Sequence, residues 1–353
     1  MKIIKTILIH LFTGANIATI LLLWLCCAVT YLHPEMYPRL TLVSLLFPAF
    51  LMVNILFTLF WLIFRIRRVW IPVVGFLVCG SFIRDYFPVN LPTKAPVDST
   101  LTIFTYNCHN YGEPDAIQED GTNPMFTYLA ESGADIICLQ EASIKPQLDD
   151  EMDKNGYQCV YRKEFALFSR LQVLTADTLA IVSEPCHAMR ALLLDGADTL
   201  MLVSVHLQSN KFSPEMKQAY REALEKHERD SMRQELTPIV QLLSAASPLR
   251  ATQTDSLEAL IETWLPRPLI VCGDFNDTPV SYTYRVLNRK LTSAFRESGY
   301  GLGFTYHEKG FPVHIDHILF NGNFWTSYET QVETHITWSD HFPIRTKLSR
   351  KHP

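Results

Sequence analysis

Residues 269–277 read Leu-Ile-Val-Cys-Gly-Asp-Phe-Asn-Asp, an apolar stretch of strand length that breaks at Gly273 into acids and an amide. A short continuous apolar run fits a strand buried on both faces, and a glycine followed by Asp and Asn fits the turn that ends it. Outward in both directions the same pattern repeats. Thr-Tyr-Asn107, Cys-Leu-Gln-Glu141, Val-Ser-Val-His206, His-Ile-Asp316-His-Ile-Leu and Trp-Ser-Asp340-His341-Phe-Pro each join an apolar β run to a carboxylate, an amide or an imidazole. Taken singly, each has an ordinary reading as a turn, a cap or a solvated loop residue. Together they predict polar groups gathered on one rim of packed strands, where a rigid scaffold leaves them open to substrate.

The predicted strands are Leu101 to Tyr106, Asp135 to Leu139, Leu179 to Val182, Leu200 to Val205, Leu269 to Cys272, Ile315 to Phe320 and Ile344 to Leu348. Helical patterns fall between them, the longest over Pro214 to Ser244 and another over Ser256 to Trp264. No internal repeat or low-complexity tract interrupts the pattern.

The order Asn107, Glu141, His206, Gly-Asp274-Phe-Asn276, Ile-Asp316 and Ser-Asp340-His341 resembles the endonuclease/exonuclease/phosphatase superfamily with its deoxyribonuclease-I-like fold. The match runs over residues 101–348, and Gly-Asp-Phe-Asn and Ser-Asp-His are its most specific pieces. The resemblance implies a four-layer α/β sandwich, two packed mixed β-sheets flanked by helices. It also implies hydrolysis of a phosphate ester with a hard divalent ion, Mg²⁺ or in its place Mn²⁺, held by oxygen ligands. Glu141 is the first choice of ligand, with Asn107 and Asp340 beside it. His206 and His341 would donate to the non-bridging phosphate oxygens, Asp316 would orient His341, Asp274 would align or deprotonate the attacking water, and Asn276 would contact the phosphate.

Departures from the family pattern point to substrate contacts. Asn107 is followed by Cys-His-Asn, so His109 and Asn110 either shape a pocket or serve as loop. Tyr161 and Arg162 are weak matches for the family's additional phosphate-contacting Tyr or Arg. Zinc is disfavoured because no Cys or His ligands occur at short spacings, and a Ser or Cys nucleophile because neither stands in a recognisable elbow.

The first 97 residues differ in kind. Ile7 to Val29 and Leu40 to Phe64 carry no Asp, Glu, Lys or Arg, and each is long enough to cross a hydrocarbon core. A cleaved signal peptide is disfavoured for the first, because no small-residue site closes it. The third run, Val69 to Ile83, is short and contains Pro72 and Gly75, so it either crosses or lies re-entrant. Lys2, Lys5, Arg65, Arg67 and Arg68 belong on the cytoplasmic side, and a crossing by the third run sends the large domain outside the cytoplasm. The expected organisation is an anchor of two or three transmembrane helices over residues 1–87, a Pro-spaced linker over 88–98 and a catalytic domain over 99–353. The protein is expected in the cytoplasmic (inner) membrane with its domain extracytoplasmic and held off the lipid by Pro88, Pro92 and Pro96. Five cysteines fall in the domain, where Cys159 and Cys186 are open to pairing.

Charge narrows the substrate. The first 97 residues hold eight Lys/Arg against two acids, leaving 23 bases and 34 acids in the remainder. A domain that grips nucleic acid through its backbone shows the opposite balance. A lipid headgroup or small phosphate ester is therefore favoured over DNA or RNA, and the membrane is the one other partner the sequence implies. An inactive binding or scaffold module is disfavoured, since every principal position is filled.

Overall fold

The computed structural model describes residues 2–91, 93–96, 100–112, 122–181, 188–226, 229–308 and 311–351. Its apolar runs form β1 (Thr100–Asn107), β2 (Ile136–Gln140), β3 (Gln158–Arg162), β4 (Phe165–Ser169), β5 (Gln172–Thr178), β6 (Ala188–Asp195), β7 (Asp198–His206), β8 (Leu269–Asp274), β9 (Thr292–Ser293), β10 (Asp316–Phe320), β11 (Trp325–Val332) and β12 (Ile344–Arg350). They build two six-stranded mixed sheets, ordered β11-β12-β1-β2-β4-β3 and β5-β6-β7-β8-β10-β9. Ile103, Cys138, Leu167, Leu202, Ile270 and Ile318 meet between the sheets. Each such side chain stabilises the fold by about 1.5–3 kcal/mol relative to leaving it in water.

The helices are α1 (Lys2–Ala28), α2 (Pro38–Thr41), α3 (Phe47–Phe64), α4 (Trp70–Val78), α5 (Gly80–Tyr86), α6 (Pro124–Glu131), α7 (Pro146–Lys154), α8 (Pro214–Lys226), α9 (Arg229–Trp264), α10 (Tyr282–Asn288) and α11 (Ala294–Ser298). Met125, Leu129, Leu148 and Met152 of α6 and α7 cover the outer face of the first sheet. Leu257, Ile261 and Tyr284 of α9 and α10 cover the second. The result is the four-layer sandwich the resemblance implied.

Three details differ from the sequence reading. The strand expected at Leu179 to Val182 lies earlier, in β5; Leu179 to Ile181 is irregular, and Val182 lies outside the described residues. Along β5 only Ala176 is buried, so this edge strand lacks the apolar run that marks the central ones. The helix expected over Pro214 to Ser244 is divided between α8 and α9, and α9 continues through the segment expected as a separate helix at Ser256 to Trp264. Pro238 and Pro248 sit inside α9. An interior proline costs about 3 kcal/mol, which the packing of Leu257, Ile261 and Trp264 on the second sheet offsets. Cys159 has no disulfide partner among the described residues, and Cys186 lies outside them.

Two helical stretches, Ile3–Tyr31 and Pro38–Phe64, are long and apolar enough to cross a membrane, and the pair Ile66–Val78 and Gly80–Tyr86 bends by 70°. Inside the apolar bundle Asn16 donates to Asn54 at 3.0 Å, and Trp61 donates to Asn16 at 2.9 Å, tying α1 to α3 through buried polar groups. Side chains such as Ile7, Leu11, Leu59, Ile63 and Leu77 point outward from these helices and are exposed.

Pro88 and Pro96 do not hold the domain away from the helices, and Pro92 lies outside the described residues. Pro88 accepts from Gly301 at 2.9 Å, and Asn90 donates to the carbonyls of Arg296 and Gly299 at 3.0 and 2.9 Å, so the segment lies along the domain. Asp85 pairs with Arg296 at 2.6 Å. Val280 is buried in one cluster with Leu23, Cys26, Phe47, Cys79 and Tyr86. The domain is thus seated directly on the helix ends. The reason is side-chain chemistry: proline spacing favours an extended chain but leaves its carbonyls free to pair with a neighbouring surface.

Candidate active site

Register explains why the polar residues meet. β7 and β8 run parallel with His206 opposite Asp274, and β8 and β10 run antiparallel with Asp274 opposite Asp316. Three strands therefore present an imidazole and two carboxylates in one row. In the facing sheet β1 and β2 run parallel with Asn107 opposite Gln140, so Glu141 follows directly at the same rim. The loop before β12 brings in Asp340 and His341, secured where Ser339 donates to the Asn107 carbonyl at 2.8 Å.

Gly273 is required by this arrangement. Its φ is 130°, and a Cβ there would lie 2.1 Å from the Val205 carbonyl oxygen. Without a side chain, β8 draws close enough to β7 for His206 to reach Asp274. Glu141 and Asn276, at φ 53° and 52°, occupy left-handed conformations that side-chain-bearing residues rarely adopt. Both bends re-aim the chain: Asn110 donates its N–H to the Glu141 carbonyl at 2.8 Å, and Asn276 donates to Asp274 Oδ1 at 2.7 Å.

Asp274 sits at the centre. Its Oδ2 lies 3.8 Å from Nε2 of both His206 and His341 and accepts from the Asn107 amide at 3.2 Å. Asn107 also donates to Glu141 Oε1 at 3.0 Å, and His206 Nε2 lies 3.7 Å from the same oxygen. Each imidazole has a carboxylate behind it. His341 Nδ1 is 2.8 Å from buried Asp316, and His206 Nδ1 is 3.2 Å from Glu164, which the turn between β3 and β4 supplies. The Tyr306 ring packs against His341, their centroids 5.1 Å apart.

These contacts set the charges. Burial opposes charge on both imidazoles, but Glu164 with Asp274 raises His206 to about 9, and Asp316 with Asp274 raises His341 to about 10. Burial and the neighbouring Asp316 push Asp274 up to about 6, with the two imidazoles opposing. Burial would also raise Glu141, yet hydrogen bonds from His109 and Asn107 hold it down at about 2. At neutral pH two imidazolium donors thus flank a carboxylate poised near its own titration, with a fully ionised carboxylate alongside.

A cavity of about 250 Å³ opens over this group and is lined by Asn107, His109, Glu141, His206, Asp274, Asn276, Asp340 and His341. His109 Nδ1 is 3.3 Å from Glu141. Asp316 stays behind His341. Asn110, Tyr161 and Arg162, the weak candidates for substrate contact, are not among the residues lining this cavity. Asn110 accepts from Ser143 at 2.6 Å, Tyr161 donates to Asp149 at 2.5 Å, and Arg162 donates to the carbonyls of Ala176 and Tyr161. Each of the three has a polar atom engaged by a neighbouring loop or strand.

Lining residues without a sequence motif also appear. Lys217 of α8 lies 3.3 Å from Asp340 and 3.5 Å from Glu308. Arg250 of α9 is buried, 3.5 Å from Asp277, and donates to the Gln208 carbonyl at 3.1 Å. Glu164 likewise escaped the sequence reading, its one local signal being the polar Lys163-Glu164 pair between two β-prone runs.

The donor chemistry fits a hard divalent ion. Glu141, Asp274 and Asp340 share the cavity, and no cysteine is among its lining residues. Asn107 presents its amide nitrogen to Glu141, so coordination there calls for the amide turned over. Among the described residues, Asp274, Asp316 and His341 also offer ligand atoms within 4.8 Å of one another. In that group the Asp316–His341 hydrogen bond already occupies one carboxylate oxygen and one ring nitrogen. Glu141, whose side chain is 36% exposed, is the freer ligand.

A family model described as the endonuclease/exonuclease/phosphatase family matches residues 104–341, and one described as a domain of unknown function matches residues 9–86. No curated protein matches the chain. Among solved structures, the human Nocturnin catalytic domain with bound sulfate anion is similar at 16% identity and TM-score 0.50, covering 74% of this chain and 96% of that one. An endonuclease/exonuclease/phosphatase family protein from Bacteroides thetaiotaomicron is similar at 16% identity and TM-score 0.50, covering 72% and 99%. ANGEL2, a 2',3'-cyclic phosphatase, is similar at 12% identity and TM-score 0.50, covering 71% and 95%. At these identities the likeness is one of fold.

Proposed function

The chain belongs to the endonuclease/exonuclease/phosphatase family, and from that premise we propose that it is a membrane-anchored, divalent-metal-dependent phosphoesterase acting on a lipid headgroup or small phosphate ester. The observation that carries this reading is the placement of Asp274 between two imidazoles, each backed by its own carboxylate, with Glu141 facing the same cavity.

Glu141, Asn107 and Asp340 would hold Mg²⁺ or Mn²⁺, which when bound neutralises phosphate charge and polarises the phosphoryl oxygen. His206 and His341 donate from Nε2 to the non-bridging oxygens, where charge grows in the transition state. Their Nδ1 atoms are held by Glu164 and Asp316, which fix the ring orientation. Asp274 accepts a proton from, or aligns, the attacking water, and its position near neutrality suits that exchange. Asn276 donates its amide to the Leu207 carbonyl at 3.0 Å, so its part is to hold the rim while its remaining donor capacity meets phosphate.

The apolar helices support the anchor, and the basic residues Lys2, Lys5, Arg65, Arg67 and Arg68 support placing the domain outside the cytoplasm. All of them lie at the helix ends remote from the domain. For a nuclease, Phe212, Tyr306 and Phe311 in the cavity lining would suit base stacking. Against it, Lys217 and Arg250 are each engaged by acids, and the region beyond residue 97 is acidic.

The test is hydrolysis by the full chain in detergent micelles of phospholipid, soluble phosphate esters, DNA and RNA, with Mg²⁺ or EDTA. Activity on a phosphate ester that chelation and Asp274→Asn both abolish is expected; activity indifferent to both overturns the mechanism.

A further inference from the structure

The catalytic cavity is not closed by the sandwich alone. Pro34, Thr41, Leu42, Ser44 and Leu45 line it; all five lie in the connection between α1 and α3, the last four in the first turns of the apolar stretch Pro38–Phe64. That connection is locked in place. His33 lies 3.0 Å from Asp255 of α9, and Arg285 of α10 donates to the Thr30 carbonyl at 2.8 Å while its guanidinium stands 4.5 Å over the Tyr31 ring. Tyr282 donates to the other Asp255 oxygen at 2.7 Å. A wall fixed by so many contacts defines the cleft's shape.

Its chemistry divides the cavity in two. Glu141, His206, Asp274 and His341 form a charged floor, while Leu42 and Leu45 from the connection and Leu243 from α9 form an apolar flank. The flank runs outward into exposed apolar side chains. Met36 is 71% exposed and Leu46 50%, and Val240 and Leu249 of α9 are 42% and 54% exposed. A soluble polar ester gives such a surface nothing to bind.

The level of the wall is set by helix length. At a rise of about 1.5 Å per residue, the 27 residues of α1 span roughly 40 Å. A bilayer measures about 40–45 Å including its headgroups, so a crossing by α1 from its N-terminus would deliver the following chain to the level of the far leaflet's phosphates. In that crossing the wall and the charged residues that share its cavity would face the headgroup layer.

We propose that the substrate is a phosphate ester carried by a bilayer lipid, and that the α1–α3 connection is the specificity-determining wall along which its apolar portion lies. The phosphate enters from the membrane side toward Glu141 and Asp274, with the first carbons of the tail against Leu42 and Leu45. Water oxygen bonds to phosphorus, one ester P–O bond breaks, and the departing alcohol takes the proton. The products are a phosphate-bearing fragment and an alcohol. This inference rests on the phosphoesterase reading given above.

The experiment compares two substrates sharing one headgroup, a long-chain phospholipid in vesicles and its water-soluble short-chain analogue. Both are presented with Mg²⁺ to the full chain reconstituted in those vesicles, across a panel of phosphatidylethanolamine, phosphatidylglycerol and phosphatidic acid headgroups. The wild type is expected to favour the vesicle lipid. Leu42→Ser and, separately, Leu45→Trp are expected to lower the ratio of long-chain to short-chain hydrolysis at least ten-fold, the short-chain rate reporting that each variant is folded. An unchanged ratio in both variants, including equal loss on both substrates, overturns the wall. Hydrolysis of short-chain esters alone by the wild type overturns the lipid assignment and leaves the phosphoesterase standing. Hydrolysis of neither removes both.

Discussion

The two imidazoles of the cleft are supported by unlike regions. His341 stands on the loop before β12 and leans on Asp316, whose side chain is 1% exposed, at 2.8 Å; His206 ends β7 and leans on Glu164, whose side chain is 38% exposed, at 3.2 Å from a hairpin turn. Both imidazoles are buried, but one carboxylate is part of the core and the other part of the surface. Burial without solvent screening makes the first pair stiff and costly to disturb, while the second can be altered with little consequence beyond the cleft. The same kind of pairing therefore serves stability and catalysis on one side, and catalysis mainly on the other.

Asp274 lies between both pairs, so Asp274→Asn is expected to have the largest effect. A fall of roughly 10²–10⁴-fold in kcat with a near-wild-type Tm is expected; a rate within ten-fold of wild type would dissolve the comparison by removing its centre. Next, His341→Ala should lower both rate and Tm, since it strands a buried carboxylate at a cost of about 3–5 kcal/mol. His206→Ala should lower the rate by roughly 10²–10³-fold with a smaller loss of Tm, since the carboxylate it leaves behind is solvated. Thermal unfolding of the two variants side by side decides it, and equal Tm losses would mean the pairs are equivalent. A smaller contrast is expected between Asp316→Asn and Glu164→Gln. Loss of a charged hydrogen bond of about 1.5–3 kcal/mol predicts about a 10–100-fold fall in kcat for the first. The second should stay within about ten-fold, because its carboxylate is screened by solvent. Smallest of all, Tyr161→Phe should leave kcat/KM within about two-fold, since its hydroxyl serves Asp149 and not the cleft; a larger loss would restore it as a substrate contact.

The unequal pairs also explain what the sequence made legible. Asp316, Asp340 and His341 stand in contiguous motifs at the starts of β10, buried throughout, and β12, buried at alternate positions over its first half. Glu164 sits between β3, of which no residue is buried, and β4, five apolar or small residues too short to identify by periodicity. Nothing local separates it from any turn acid. Lys217 and Arg250 reach the cavity from helices, and Leu42 and Leu45 reach it from the α1–α3 connection. Such residues become neighbours only through tertiary packing, which residue spacing does not encode. The prolines after α5 misled for a related reason: they describe the chain's stiffness and not the surface of Arg296, Gly299 and Gly301 on which it rests.

What unites the rim is a hard cation facing Glu141, and its binding can be read without any substrate. Titrating the full chain with Mn²⁺ while following the paramagnetic resonance of the free ion should show uptake by the wild type that Mg²⁺ displaces and that Glu141→Gln weakens at least ten-fold. Uptake of equal strength in wild type and variant, or none in either, would contradict the assignment of this cleft as a metal-dependent phosphoesterase site.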